Sequence, residues 1–273
     1  MRIIDGNLIA EEMLAKLRRA ASLHIKTLQL AAILVSEDPG LEKFVRLKQK
    51  AAERAGLDFA LYKFHPKTST KELIDIIDYL NRDDGITGIL VELPLPQGIE
   101  TKDVLDAIQA KKDVDVLSSA MQDNYYSNAS PILPPAVAAL KIVVEREKIG
   151  IAGKEVVVFG QGMLVGRPVS HWLEQQGARV KRIDEFTPDA DAIAQKADVI
   201  IAATGKPDLI TGDIVKEDVI VVDFGYGEKG NKMRGDVEFE TVAPKADIIT
   251  PVPGGMGPIV VVAVLKNLIE LSL

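Results

Sequence analysis

Cysteine is absent from this 273-residue chain. That excludes disulfides, thiolate metal sites and a cysteine nucleophile, but it leaves the compartment open. Histidine is scarce. His24, His65 and His171 stand apart with no HxxxH pair, so no metal site is expected. No apolar run approaches the length of a membrane span. The opening residues MRIIDGNLIAEEM contain no apolar stretch of the signal-peptide kind. Positive charge is in deficit: 33 Lys and Arg against 40 Asp and Glu give a net charge of −7. A nucleic-acid partner or an anionic membrane surface is therefore not expected. The expectation is a cytoplasmic soluble protein. Its 47% hydrophobic content and its length suit one large or two ordinary domains.

Strand and helix patterns alternate along the whole chain. Residues 2–4 are a short apolar start, and apolar positions recur at helical spacing over 8–21. Residues 28–35 form an apolar run that reads as a strand buried on both faces. A helix is expected from the loop at 36–40 to Ala55, and a strand over 58–63. Ser69 and Glu72 form a capping box that opens a helix to about Asn81. A strand over 86–91 runs into Glu92-Leu93-Pro94-Leu95-Pro96, where two prolines forbid helix or ladder. A helix is expected over 101–110. Residues 111–130 are polar and poorly periodic, and read as a functional loop or domain crossing. Pro134-Pro135 opens a helix to about Lys148. Further on, strands are expected over 198–202, 219–223 and 248–250, with helices over 190–196 and 259–271. Residues 225–235, rich in glycine and charge, read as the least ordered. The fold class is α/β with parallel sheets in two lobes.

The stretch from Gly153 to Asp184 is the clearest unit. A strand over Glu155–Phe159 enters the turn Gly160-Gln161-Gly162, a helix follows over about 164–176, and a second strand leads to Asp184. Gly160 permits a tight turn and Gly162 admits a pyrophosphate against the backbone. The helix N-terminus offers unpaired N–H groups and the positive end of its dipole. An acid at the end of the second strand suits a ribose diol. The spacing is GxGxxxG, closed by Gly166, and a plain structural turn is the alternative. The flanking strand and helix, with the position of Asp184, favour a dinucleotide.

Three other constellations stand out. Lys43, Arg46, Lys48 and Lys50 make one helix basic, which alone describes a solvated face. Phe44 lies at (i, i+4) from Lys48, so an aromatic ring and an amine share a face and suit a flat substrate beside a proton-transfer group. In Lys112-Asp113-Val114-Asp115 the acids alternate, one toward a cleft and the other toward water. A carboxylate there could pair with the amidine-like edge of a pterin or purine; a charged loop is the alternative. Pro251 to Pro258 packs three glycines between three prolines, a shaped backbone that something approaches closely.

On these residues the chain resembles the bifunctional methylenetetrahydrofolate dehydrogenase/methenyltetrahydrofolate cyclohydrolase family. The likeness rests on Glu37-Asp38-Pro39 with Phe44 and Lys48, and on GILVELPLP from Gly88. It rests further on KDVD from Lys112, the Gly160–Gly166 turn with Pro168, ADVIIAATGKP from Ala197, VVDFG from Val221, GDV from Gly235 and TPVPGGMGP from Thr250. It covers essentially the whole length. It implies hydride transfer from 5,10-methylenetetrahydrofolate to NAD or NADP, then hydrolysis to 10-formyltetrahydrofolate. It also implies a homodimer. A folate-binding domain is expected over 1–120, closed by the C-terminal helix 257–273, and an NAD(P)-binding Rossmann domain over 121–256. The resemblance makes Lys48 the catalytic lysine with Glu92 beside it, and Asp115 the pterin-binding acid. Phe44, Leu93, Pro94, Pro253, Gly254 and Gly255 would meet substrate. Gly160, Gln161, Gly162, Val165 and Gly166 would meet cofactor, with Asp184, Glu185, Thr204, Gly205 and Tyr226.

Several matched positions depart from the family pattern. Phe44 stands for the usual tyrosine and Glu92 for a glutamine. A carboxylate beside an amine favours its ammonium form, a poor general base, so hydrolysis should suffer most. Val116 stands for a glycine, Ile132-Leu133 for Cys-Thr, and Val260 for a threonine. Gln161-Gly162 replaces Arg-Ser, and Asp184 lies near where a His-Ser pair is usual. Losing a cation while gaining an acid favours NAD over NADP. The expectation is a divergent dehydrogenase with weak or absent cyclohydrolase activity. The alternatives are a non-catalytic nucleotide- or folate-binding relative, or a two-lobed dehydrogenase with another substrate.

Overall fold

A computed structural model describes residues 1–230 and 232–273. The chain begins with β1 (Arg2–Ile3), α1 (Gly6–Ala21), β2 (Gln29–Val35), α2 (Pro39–Ala55), β3 (Asp58–Phe64), α3 (Thr70–Arg82) and β4 (Gly88–Val91). Next come α4 (Thr101–Asp106), a 3-10 turn (Ala110–Lys112), α5 (Ser119–Tyr126) and α6 (Pro135–Arg146). The remainder runs β5 (Glu155–Phe159), α7 (Gly166–Gln175), β6 (Arg179–Ile183), α8 (Ala190–Ala194), β7 (Val199–Ala202) and β8 (Val219–Asp223). It ends with β9 (Gly227–Lys229), β10 (Lys232–Arg234), α9 (Phe239–Val242), β11 (Ala246–Ile249) and α10 (Met256–Glu270). Among the described residues no helix is long and apolar enough to cross a membrane.

Two compact units are present. One comprises Glu11–Pro135 with Val261–Leu273, the other Met1–Ala10 with Ala136–Val260. The first is built on a parallel sheet in the order β3-β2-β4. Central β2 is buried from Leu30 through Val35, as its unbroken apolar sequence requires. Local signals set the helix ends. The Asp38 carboxylate accepts from the N–H groups of Gly40 and Leu41 at 2.6 and 3.3 Å, Pro39 occupies the first turn, and Gly56 closes α2 in the left-handed conformation. Ser69 and Glu72 form the expected capping box of α3.

Residues 111–130, expected as a loop, contain α5. Its sequence, SAMQDNYY, buries only Met121 and Tyr125, an (i, i+4) pair too sparse to register as periodicity. Its start is held from outside: Ser118 caps it, and Asp106 accepts from the N–H and hydroxyl of Ser119 at 2.6 and 3.0 Å. Tertiary contacts therefore override weak local propensity here. The expected helix over 101–110 stops at Asp106, the residue recruited for this contact.

The second unit carries a six-stranded sheet in the order β1-β11-β8-β7-β5-β6, with every pair parallel. The chain moves outward from β5 to β6, then crosses back to β7. The switch point therefore lies between β5 and β7, and the crevice beyond the carboxyl ends of these strands is where such sheets bind ligands. Residues 2–3 prove to be an edge strand on β11, fastened by Arg2 to Glu147 and Asp247, each at 3.2 Å. Residues 225–235, expected to be the least ordered, include the antiparallel hairpin β9–β10. Its polar residues carry no apolar alternation that would announce a strand; Asn231 lies outside the described residues.

Candidate active site

Lys48 projects from α2 toward the end of β4. Its ammonium donates to both oxygens of Glu92, at 2.7 and 2.8 Å. Glu92 is still tied to the sheet, its N–H donating to Ile33 O at 2.9 Å. The lysine side chain is 14% exposed and the glutamate 6%, so water screens the pair little. Asp115 completes the cluster. Burial pushes its carboxyl up to about 7; Lys48 pulls it down, and Glu92 and Asp113 push it further up. Phe44 is half-buried one turn before Lys48 on α2, Leu93 is half-buried and Pro94 is exposed.

The two acids of KDVD divide differently from the cleft-and-water expectation. Asp113 is 1% exposed and accepts from the N–H groups of Asp115, Leu117 and Ser118 at 3.2, 2.9 and 2.7 Å, and from the Ser118 hydroxyl at 2.7 Å. It is thus a buried loop fastener rather than a solvated charge. Lys112 is also structural. Its ammonium donates to the carbonyls of Leu80 and Asp83 at 2.9 and 2.7 Å and so closes the end of α3. Between the Asp113-held residues, Val116 has φ of 60°. That left-handed backbone favours glycine and costs a β-branched residue about 1–2 kcal/mol. Burial of its side chain, to 2% exposure, offsets the cost at about 2 kcal/mol.

In the other unit the glycine turn follows β5. Gly160 has φ of 86°, and a Cβ there would lie 2.2 Å from Ala203 O beyond β7. A Cβ on Gly166 would lie 1.9 Å from Gly160 O, so helix and turn pack backbone to backbone. Gly162 faces open space, with nothing within 4 Å of its Cβ position. Val165 precedes α7 without a side-chain cap. Gln161 turns its amide onto its own backbone, donating to Val158 O and Gly160 O at 3.1 and 2.9 Å. Asp184 follows β6 and accepts through Oδ1 from the Thr187 hydroxyl at 2.7 Å and the Phe186 N–H at 3.1 Å. These bonds hold the carboxyl below its usual range, Thr187 contributing most. Glu185 meets Lys206 at 3.7 Å, and Tyr226 is exposed. The close approach expected at the proline-glycine segment comes from Gly6. Its N–H donates to Gly254 O at 2.8 Å, and a Cβ on it would lie 1.7 Å from Gly255 O. Pro253 is exposed beside it.

Comparison with known proteins agrees with both halves. Residues 4–115 match the family model for the tetrahydrofolate dehydrogenase/cyclohydrolase catalytic domain. Residues 134–273 match the model for the NAD(P)-binding domain of the same name. The chain belongs to the tetrahydrofolate dehydrogenase/cyclohydrolase family. The bifunctional protein FolD of Moorella thermoacetica is 41% identical over 273 residues, covering 98% of each chain. The FolD dehydrogenase/cyclohydrolase structure from Campylobacter jejuni superposes with a TM-score of 0.95 at 34% identity, covering 100% of this chain and 98% of that one. The Trypanosoma brucei enzyme, solved with NADP and an inhibitor, gives 0.94 at 29% identity, covering 98% and 96%.

Family membership assigns a nicotinamide cofactor and a tetrahydrofolate-type substrate to the chain. The turn fits such a cofactor: the open space at Gly162 lies before an uncapped ten-residue helix, as a pyrophosphate requires. Sequence reasoning missed three residues beside it. Arg167 leans back on the turn, its Nε donating to Gln161 O at 2.9 Å. Asp223 and Asp236 lie buried behind the neighbouring loops. The acid of GDV was visible as a motif, but nothing in its spacing announces what it holds.

Proposed function

We propose that this protein oxidises 5,10-methylenetetrahydrofolate with NAD or NADP and hydrolyses the methenyl product poorly. The observation that carries this reading is the bidentate Lys48–Glu92 pair. The two reactions make different demands. Oxidation moves a hydride from the bridging carbon and releases no proton, so it needs alignment rather than a base. The bound nicotinamide supplies the hydride acceptor. Hydrolysis adds water to the methenyl carbon and must shed a proton to a base. Lys48 has its ammonium fastened to both Glu92 oxygens, and a neutral amine would leave that carboxylate buried and unpaired. Phe44 offers a stacking face, and Asp115, as a carboxylate, would accept from the N–H edge of the pterin. Reduction of nicotinamide on addition of 5,10-methylenetetrahydrofolate tests the first half; no reduction with either cofactor at high enzyme concentration overturns it.

Asp115 adds a pH dependence. Its carboxylate form prevails above about 7, and only that form accepts two N–H bonds. The KM for the folate should fall several-fold as pH rises from about 6 to about 8; a flat profile contradicts the assignment. The same group opposes folding as it ionises. Its folded value lies above the ordinary one near 3.9, so the stability it contributes is full below about pH 4 and is lost as pH rises through about 7.

We further infer a preference for NAD. Asp184 stands ionised at the end of β6 and suits a ribose diol better than a phosphate. Gln161 spends its amide on the turn. Arg182 on β6 is paired with Glu174 at 2.8 Å. Arg167 donates to the turn carbonyl of Gln161, and NAD should bind about tenfold more tightly than NADP. Titration with each cofactor decides; tighter binding of NADP refutes the role given to Asp184. The same reading takes the unit Glu11–Pro135 with Val261–Leu273 as the folate-binding part of a homodimeric cytoplasmic enzyme.

A further inference from the structure

Asp223 ends β8 and is 2% exposed; Asp236 follows β10 and is 0% exposed. Burial raises both carboxyls, and among the described residues neither forms an ion pair. Charged side chains on neighbouring loops are paired with one another: Lys206 with Glu185, Asp208 with Lys229, and Arg234 with Glu240. A buried, cation-free acid pair is a costly way to fill space.

Their hydrogen bonds converge on loops at one end of the sheet. Oδ2 of Asp236 accepts from the Thr204 N–H, from the Thr204 hydroxyl at 2.9 Å and from the Gly205 N–H at 3.2 Å. Thr204 and Gly205 follow β7, on the crevice side of the switch point. Asp223 holds Asp236 in place. Its Oδ1 accepts from the N–H groups of Gly225 and Asp236 at 2.7 and 3.2 Å, and Oδ2 from Val237 at 3.0 Å. The Asp223 N–H donates to the Thr250 hydroxyl after β11 at 2.7 Å. Two glycines make room for the interlock. A Cβ on Gly225 would lie 2.2 Å from Asp236 Oδ1, and one on Gly235 would lie 2.0 Å from Asp223 Oδ2. Asp236 Oδ1 is buried and, among the described residues, has no hydrogen-bond partner.

We propose that Asp236 is a positioning residue for the nicotinamide cofactor. It sets the Thr204–Gly205 loop through three hydrogen bonds to one oxygen, and Asp223 fixes it in turn. Every donor to Asp236 comes from the loop that borders the cofactor crevice. The proposal rests on the reading that this end of the sheet takes the cofactor.

The test compares Asp236→Asn, Asp236→Ala and Gly225→Ala with the unaltered protein. Titration with NAD and with NADP is combined with KM and kcat for each substrate and with thermal melting. Asp236→Ala should weaken cofactor binding by more than about tenfold, and Asp236→Asn, which keeps an acceptor oxygen, by less. Gly225→Ala, which displaces Oδ1 without changing the acid, should also weaken it. The folate KM should move by less than about threefold in each. Equal cofactor affinity in folded variants overturns the proposal. So does a fall of all parameters in step with the folded fraction. If Asp236→Ala does not fold, Asp236→Asn carries the comparison at conserved size. Failure of the unaltered protein to bind either cofactor defeats the cofactor reading itself, and the proposal with it.

Discussion

Glu92→Gln should raise hydrolysis of 5,10-methenyltetrahydrofolate by about 10²-fold, the low end of what a positioned base contributes, while leaving nicotinamide reduction within about threefold. The substitution keeps an oxygen within reach of Lys48 and removes the charge that holds its ammonium. The lysine amine is then released from the bidentate contact and can meet the attacking water. The dehydrogenase step needs no base, so it should barely respond. Rates measured separately on the methylene and methenyl substrates decide the matter. Unchanged hydrolysis in Glu92→Gln means the ion pair does not restrain Lys48.

The second large effect is on stability. Lys48→Met leaves Glu92 6% exposed with its cation gone. Removing one partner of a buried pair costs about 3–5 kcal/mol, because the remaining charge is uncompensated. The double variant Lys48→Met/Glu92→Leu removes both charges and should recover most of that loss, since two apolar groups of similar volume pack without the desolvation cost. Denaturant unfolding of the two variants measures both values. A single variant as stable as the parent would mean that the carboxylate finds water or a proton at little cost. Neither variant should hydrolyse the methenyl compound, so stability and activity separate in the double variant.

Much of the fold could be read from local chemistry. The Asp38-Pro39 and Ser69–Glu72 signals mark two helix starts because caps act within one turn. The run from Leu30 to Val35 announces a central parallel strand because both of its faces are covered. Helix α5 was hidden because its support comes from Asp106 and Asp113, which no local pattern can reveal. The β9–β10 hairpin was hidden because its residues are polar on both faces.

The site follows the same division. The glycine turn was legible because close backbone packing forbids a Cβ at Gly160 and Gly166. The contact of Lys48 with Glu92 spans 44 residues, beyond any periodicity. Only the resemblance put the two together before the fold was known. Val116 was visible as a departure from glycine, but its φ of 60° gives the physical reason glycine suits that position. Asp236 was a motif letter whose role depends on a loop 32 residues away. The expectation that one KDVD acid faces water fails, because a loop closed on itself buries Asp113.

The central claim is that oxidation and hydrolysis have come apart in this protein. The most direct measurement follows one reaction from 5,10-methylenetetrahydrofolate and cofactor, recording reduced nicotinamide and the methenyl compound together. The account predicts that the methenyl compound accumulates nearly mole for mole with reduced nicotinamide, and decays no faster than it does without the protein. Reduced nicotinamide rising while the methenyl compound stays near zero, with 10-formyltetrahydrofolate appearing in its place, would contradict it.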